Sequence, residues 1–376
     1  MAKIGKAAVL DKPNGTFTIK EYEVPEPRPG TFILRTELAG VCATDAHMYT
    51  GGLAGISYPI ILGHEFCGVI DKLGEGVTED AIGNPVKEGD RVIIIPGVGC
   101  GHCYMCAIAK TPTVCERIAA YGFMPDDPAN MLSGGYSQYV YVQYANSPFL
   151  KTTLPANIAV LTEPLTIAIH GLNKARPKVG TVAVVQGSGA IGFGALYFAK
   201  KMGAYKVIVI GGPKERLELA KEFGADLTID IEEVKDPAER VKIVKGETIA
   251  GRGADIVFEA AGFPSAIPEG LAMMRTSGTY IELGMFTDRG PVSINPHTDM
   301  MLKNVDFYAC WGGELEFFVQ GLPFLEKREV PWEKLVNPIL PLSRAKEAVE
   351  AILKKGWKLD GGKTVFKSAI DPWMEG

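Results

Sequence analysis

With 376 residues, 47% of them hydrophobic and 22% charged, the chain can bury more than one hydrophobic core, and its composition excludes disorder as the main state. A formal net charge of −5 without any Lys/Arg-rich run excludes nucleic acid or an anionic membrane as the main partner. No apolar run reaches membrane-spanning length and the start Ala2-Lys3-Ile4-Gly5 lacks a signal-peptide core, so a cytoplasmic location is expected.

Short apolar runs broken by turn signals predict strands at residues 6–10, 16–21, 31–39, 68–73, 91–95 and 137–142, the pattern of a barrel-like β domain. Among them lie Gly40-Val-Cys42-Ala-Thr44-Asp45-Ala-His47 and Gly63-His64-Glu65. Thiolate and imidazole suit a borderline-soft ion such as zinc, and a catalytic site needs three protein ligands plus an open position. Cys42 and His64 supply two candidates, Glu65 a possible third, and Asp45 a carboxylate to fix the tautomer of His64. Thr44 and His47, three residues apart on a helical turn, form a path for a proton leaving a buried alcohol.

Of the seven cysteines, Cys100, Cys103, Cys106 and Cys115 crowd into a lobe at about residues 97–116, which favours reduced thiols and metal over a disulfide framework. Four thiolates close a tetrahedral shell and leave no open position, so this zinc is expected to be structural. His102 is expected to face solvent, while Cys67 and Cys310 lack partners at ligand spacing and are expected in or near the core.

From about residue 180 strands and helices alternate. A strand at 181–186 leads into Gly187-Ser-Gly189-Ala-Ile191-Gly192, which opens a helix at 193–202. In that context the first glycine permits the tight turn, the second lets backbone approach a pyrophosphate, and the third allows close helix packing. Strands at 206–210, 227–229, 256–259, 279–283 and 306–310, with helices at 214–223 and 265–274, complete a doubly wound parallel sheet. The strand ends at Glu259-Ala-Ala-Gly262 and Leu283-Gly-Met285 are expected to line the nicotinamide cleft. A helix at 344–355 and a strand at 363–367 end the chain. An NAD site places an acidic residue at the end of the second strand, where this chain has Gly211 followed by Lys214 and Arg216. Loss of that carboxylate with cations nearby leans the cofactor toward NADP, within an NAD(P) reading.

Taken in order, the Cys42 and His64 segments, the four-cysteine lobe, Thr162-Glu163-Pro164-Leu165 and the glycine turn resemble the zinc-dependent medium-chain dehydrogenases, a family that includes alcohol, sorbitol and threonine dehydrogenases. The resemblance spans essentially the whole chain. It implies a GroES-like catalytic domain at 1–163 and 312–376 and a Rossmann domain at 164–311. It also implies two zinc ions per chain, a catalytic one on Cys42 and His64 with Glu65 or Glu163 completing or exchanging in the shell, and a structural one on the four-cysteine lobe. Ile191 and Arg216 match positions that contact the dinucleotide, Leu283 falls in the expected nicotinamide cleft, and members are homodimers or homotetramers. Glu163, where alcohol dehydrogenases carry a cysteine, resembles the sorbitol and threonine branch, which points to secondary alcohols and polyols. The last spacing in the lobe, eight residues, is one longer than the family's usual one.

The expected reaction is reversible hydride transfer between a secondary alcohol or polyol and NAD(P). A zinc-independent quinone or enoyl reductase of the same fold needs none of Cys42, His64 and Glu163, and a non-catalytic zinc-binding interaction module needs no glycine turn. Met48, Tyr49, Tyr121, Phe123 and Met285 are candidates for an apolar substrate pocket, which would favour alkyl or aryl alcohols over sugars.

Overall fold

The computed structural model describes residues 2–354, 358, 359 and 361–376. The chain divides into two compact units, one formed by Met1–Glu163 with Glu314–Gly376 and the other by Pro164–Gly313.

In the first unit a seven-stranded sheet runs Phe149–Lys151, Arg91–Ile94, Glu65–Leu73, Phe32–Gly40, Lys367–Asp371, Val336–Pro341, with Tyr139–Val142 also pairing on Phe32–Gly40. Ile4–Leu10 pairs antiparallel with Phe17–Glu23 and Ile60–Ile61 in a second sheet. Between these sheets lie Leu10, Phe32, Leu34, Phe66, Tyr121 and Tyr136, all buried, and helix Ala345–Leu353 adds Ala348 and Val349 to the same core. The predicted helix at 344–355 thus ends earlier, and Lys355 lies outside the described residues.

The second unit is a six-stranded sheet ordered Leu227–Asp230, Lys206–Gly211, Val182–Gln186, Ala254–Glu259, Met274–Glu282, Asp306–Ala309, parallel throughout. The order reverses beside the first of these strands in the chain, Val182–Gln186, the topological switch point where such sheets receive ligands. Every residue of Val182–Gln186 is buried, as a central strand covered on both faces requires.

Several elements depart from the sequence pattern for identifiable reasons. Helix Thr162–Ala175 carries Pro164, which sits in the first turn where no intrahelical N–H is needed. Helix Leu315–Lys327 continues through Pro323, held by buried Phe317, Phe318, Leu322 and Leu325. The last strand is Lys367–Asp371, so Lys367 begins the strand that it was expected to end, while Lys363–Thr364 belongs to a small hairpin with Lys358–Leu359.

Candidate active site and metal centres

Cys42 leaves strand Phe32–Gly40 and occupies the N-cap of helix Ala43–Thr50. Its backbone N–H donates to Asp45 Oδ2 at 2.8 Å, which ties the first turn to the residue carrying the thiol. His64 and Glu65 stand where the chain enters strand Glu65–Leu73, whose first residue pairs with Gly40. Ligand atoms of Cys42, His64 and Glu65 all lie within 4.8 Å of one another. Thiolate, imidazole and carboxylate form a donor set suited to zinc, and three protein donors leave a position open.

Asp45 is fully buried and lies behind this cluster. Its Oδ1 is 3.7 Å from His64 Nδ1, beyond hydrogen-bond range, and it also faces the Gly63 N–H at 3.4 Å. Its Oδ2 accepts the Tyr136 hydroxyl at 3.1 Å. Burial pulls the His64 pKa down, but Asp45 and Cys42 outweigh it and hold the ring well above the usual histidine value. The ring of Phe123 lies 5.1 Å from that of His64.

Glu65 is buried and ion-paired with Lys367, whose ammonium also donates to the Val41 carbonyl at 3.3 Å. Burial lowers the Lys367 pKa, yet the charge of Glu65 more than compensates and keeps it raised. Gly40 lies against both side chains, and a Cβ there would run into the Glu65 carboxylate and the Lys367 stem. Glu163, in the first turn of its helix, has its carboxyl pushed up to about 7 by burial and by the charge of Glu65, against the pull of His64 and Lys367. Thr44 is buried with its hydroxyl 3.5 Å from the Cys42 sulfur, and His47 follows one turn later on the same helix.

The sulfurs of Cys100, Cys103, Cys106 and Cys115 also lie within 4.8 Å of one another, and all four thiols are free. Backbone N–H groups of Cys100 and Arg117 point at Cys115 Sγ, both at 3.3 Å, and that of Cys103 at Cys100 Sγ at 3.4 Å. Such donors favour thiolate, and those of Cys106 and Glu116 bring Cys103 down to about 6. The four sulfurs fit a closed zinc shell. His102 turns away from them, with Nδ1 on the Cys100 carbonyl at 2.7 Å and Nε2 on Arg117 at 3.0 Å. Cys67 is buried, as expected, and burial pushes its thiol up; Cys310 is buried too.

At the switch point Gly187 has φ +114°, a region that favours glycine, and a Cβ there would meet the Ala260 carbonyl at 2.6 Å. Gly189 is the N-cap of helix Ala190–Lys201 with open space where a side chain would be, and Ile191 is half-buried in that helix's first turn. A Cβ on Gly192 would meet the Gly187 carbonyl at 2.0 Å. The turn therefore presents backbone at a helix N-terminus, the arrangement that receives a pyrophosphate.

Two family models match, one described as an alcohol dehydrogenase GroES-like domain over residues 28–151 and one as a zinc-binding dehydrogenase over residues 190–327. The L-threonine 3-dehydrogenase of Bacillus subtilis is 34% identical over 83% of this chain and 85% of its own length. The chain belongs to the zinc-binding, GroES-like alcohol dehydrogenase family. An alcohol dehydrogenase structure from Thermotoga maritima superposes with a TM-score of 0.90 at 30% identity, covering 98% of this chain and 99% of that one. An alcohol dehydrogenase from Escherichia coli CFT073, complexed with its cofactor NADH, gives a TM-score of 0.79 at 29% identity, covering 98% and 99%. The dehydrogenase is thus an oxidoreductase of alcohols, and its relatives support zinc and a nicotinamide dinucleotide as cofactors.

Other predicted residues of the dehydrogenase fall as follows. Gly211 ends strand Lys206–Gly211, Lys214 is exposed at the start of helix Lys214–Glu222, and Arg216 is buried in it, its pKa brought down to about 10 by burial. The Leu283 side chain is buried against Gly171. Met48, Tyr49 and Tyr121 are buried in the hydrophobic core of the first unit, and Phe123 packs against it. Three residues had no signal in the sequence. Lys367, on a distant strand, and Tyr136, in the segment before strand Tyr139–Val142, act on the cluster, and Ser188 clamps Gly212, donating to its carbonyl at 2.9 Å and accepting its N–H at 3.2 Å.

Proposed function

We propose that this dehydrogenase reversibly transfers a hydride between a secondary alcohol and the nicotinamide of NAD(P). The observation that carries the proposal is the convergence of Cys42, His64 and Glu65 beside the buried Thr44 hydroxyl, in a chain that also has the glycine turn. Cys42, His64 and Glu65 would hold the catalytic zinc, with Glu163 as the exchanging carboxylate, and Cys100, Cys103, Cys106 and Cys115 the structural one. When bound, zinc supplies a Lewis acid that lowers the pKa of an alcohol hydroxyl, and the nicotinamide ring supplies the hydride acceptor.

The chain's own residues do the rest. Thr44 accepts the hydroxyl proton of the substrate and passes it toward His47 and solvent. Lys367 offsets the charge of Glu65, and Asp45 orients His64. Gly187, Gly189, Ile191 and Gly192 seat the pyrophosphate. Gly211, with exposed Lys214 and buried Arg216, suits a 2′-phosphate, so NADP is accepted at least as well as NAD. Secondary alcohols are favoured by the similarity to a threonine 3-dehydrogenase and by Glu163. The free thiols fit a reducing, cytoplasmic setting, and among the described residues no helix is long and apolar enough to cross a membrane.

The test is the zinc content of purified protein together with NAD and NADP reduction over secondary alcohols, diols and polyols, before and after chelation. Two zinc ions per chain with chelator-sensitive turnover are expected. One zinc with unaffected turnover would overturn the assignment of Cys42 and His64, and a hundredfold preference for NAD would overturn the cofactor lean.

A further inference from the structure

Two carboxylates that the proposed reaction does not use stand side by side in the parallel sheet. Glu259 ends strand Ala254–Glu259, Glu282 ends strand Met274–Glu282, and the two are register partners, so their side chains leave the same face. Each commits one oxygen to the turn that follows it. Glu259 Oε1 accepts the N–H groups of Ala261 and Gly262, both at 2.8 Å, and Glu282 Oε1 accepts those of Gly284 and Met285 at 3.0 and 2.9 Å. The second oxygen of each is buried and receives no donor among the described residues.

A buried carboxylate oxygen without a donor is costly, and two adjacent ones repel. Burial, reinforced by the charge of Glu282, pushes Glu259 up to about 8. The neighbouring groups do not neutralise the pair. The Tyr280 phenol is held protonated by burial, Glu269 is committed to Arg240 at 2.7 Å, and the Cys310 thiol is pushed up to about 11 by burial. Lys174 acts on Cys310, Arg289 donates to the Gly262 carbonyl at 3.0 Å, and His170 faces the Gly312 carbonyl at 3.2 Å. One proton placed between the two free oxygens would turn an acceptor–acceptor contact into a charge-assisted hydrogen bond.

Both turns lie at the carboxyl ends of adjacent parallel strands, the edge where a doubly wound sheet binds its ligand. The first is locked to the glycine turn, since Ala260 N–H donates to the Gln186 carbonyl at 2.7 Å and Gly187 lies against the Ala260 carbonyl. We propose that Glu259 and Glu282 share one proton that binds turn 259–262 to turn 282–285, and that losing this proton at alkaline pH weakens dinucleotide binding. The inference rests on the reading that the glycine turn receives NAD(P).

The sign follows from linkage. An unfolded glutamate titrates near about 4.3, so the folded pair retains a proton that the unfolded chain has lost. Stability therefore falls as pH rises between that value and about 8 and is lowest above it. Dinucleotide affinity depends on the folded pair keeping its proton and so falls as pH rises through about 8. The experiment measures Kd for NADPH and NADH by fluorescence from about pH 6 to 9.5 in the wild type, Glu282→Gln and Glu259→Gln, and records thermal unfolding of the same proteins without dinucleotide. The amide supplies a permanent N–H in place of the shared proton. The wild-type Kd is expected to rise about five- to tenfold toward the alkaline end while both variants stay within about twofold, and the wild-type Tm is expected to fall more steeply than theirs between about pH 6 and 8. A flat wild-type Kd, or the same rise in the variants, would overturn the inference alone. Absence of binding at every pH would overturn the dinucleotide reading and the coupling with it.

Discussion

Glu65 is tolerable in the interior because Lys367 is buried with it, and its carboxylate lies within 4.8 Å of the ligand atoms of Cys42 and His64. Removing one partner of a buried pair leaves the other unpaired, at a cost of about 3–5 kcal/mol. Lys367→Met is expected to lower the urea-unfolding free energy of zinc-free protein by about that amount, and adding Glu65→Gln to restore most of it. An unchanged midpoint in the single variant would show that the pair is solvated. Cys42→Ser tests the other side of the cluster, with zinc expected to drop by one per chain and turnover by at least about a thousandfold while far-UV CD is retained. Near-normal turnover would remove Cys42 from the mechanism. Cys42, His64 and Glu65 were legible because their residue types and local spacing announce metal chemistry. Lys367 was not, because its contact with Val41 spans 326 positions and a lysine after the apolar Val365-Phe366 reads as a strand end.

The glycine turn was legible for a local reason: one backbone conformation, one strand before it and one helix after it are all encoded within a short segment. Its test is equally local. Gly187→Ala places a Cβ against the Ala260 carbonyl at φ +114°, so a loss of about 1–3 kcal/mol and a strong weakening of NAD(P)H binding are expected, read by thermal unfolding and fluorescence titration. Wild-type affinity would mean that the turn does not approach the cofactor. The helix Thr162–Ala175 and strand Lys367–Asp371 escaped the sequence pattern because tertiary packing overrode it. The helix begins at a proline-bearing first turn, and the strand buries Lys367, Ser368, Ala369 and Ile370 in succession, so neither alternation nor charge marks it. The side chain of Leu283 packs inward against Gly171, a contact that its position at a strand end does not encode.

For the molecule as a whole, the parallel sheet presents a problem that a single chain leaves open. Asp306–Ala309 is its edge strand, and all four residues are exposed, Phe307 and Tyr308 among them. Met301 and Leu302 just before it are 76% and 64% exposed. An apolar edge of this kind offers unpaired backbone groups to another strand and is normally covered or blunted by charge. Only Asp306 supplies charge within this strand. The fitting occupant would be the same edge of a second copy, because a two-fold axis there would pair identical strands antiparallel and close the assembly. Sedimentation of the wild type is then expected to show at least a dimer. Tyr308→Lys combined with Met301→Lys is expected to shift it toward monomer at micromolar concentration, because like charges would face each other across the axis. A mass unchanged by both substitutions would place the subunit contact elsewhere, and a wild-type monomer would leave this edge as an aggregation hazard, visible as turbidity that the same substitutions suppress.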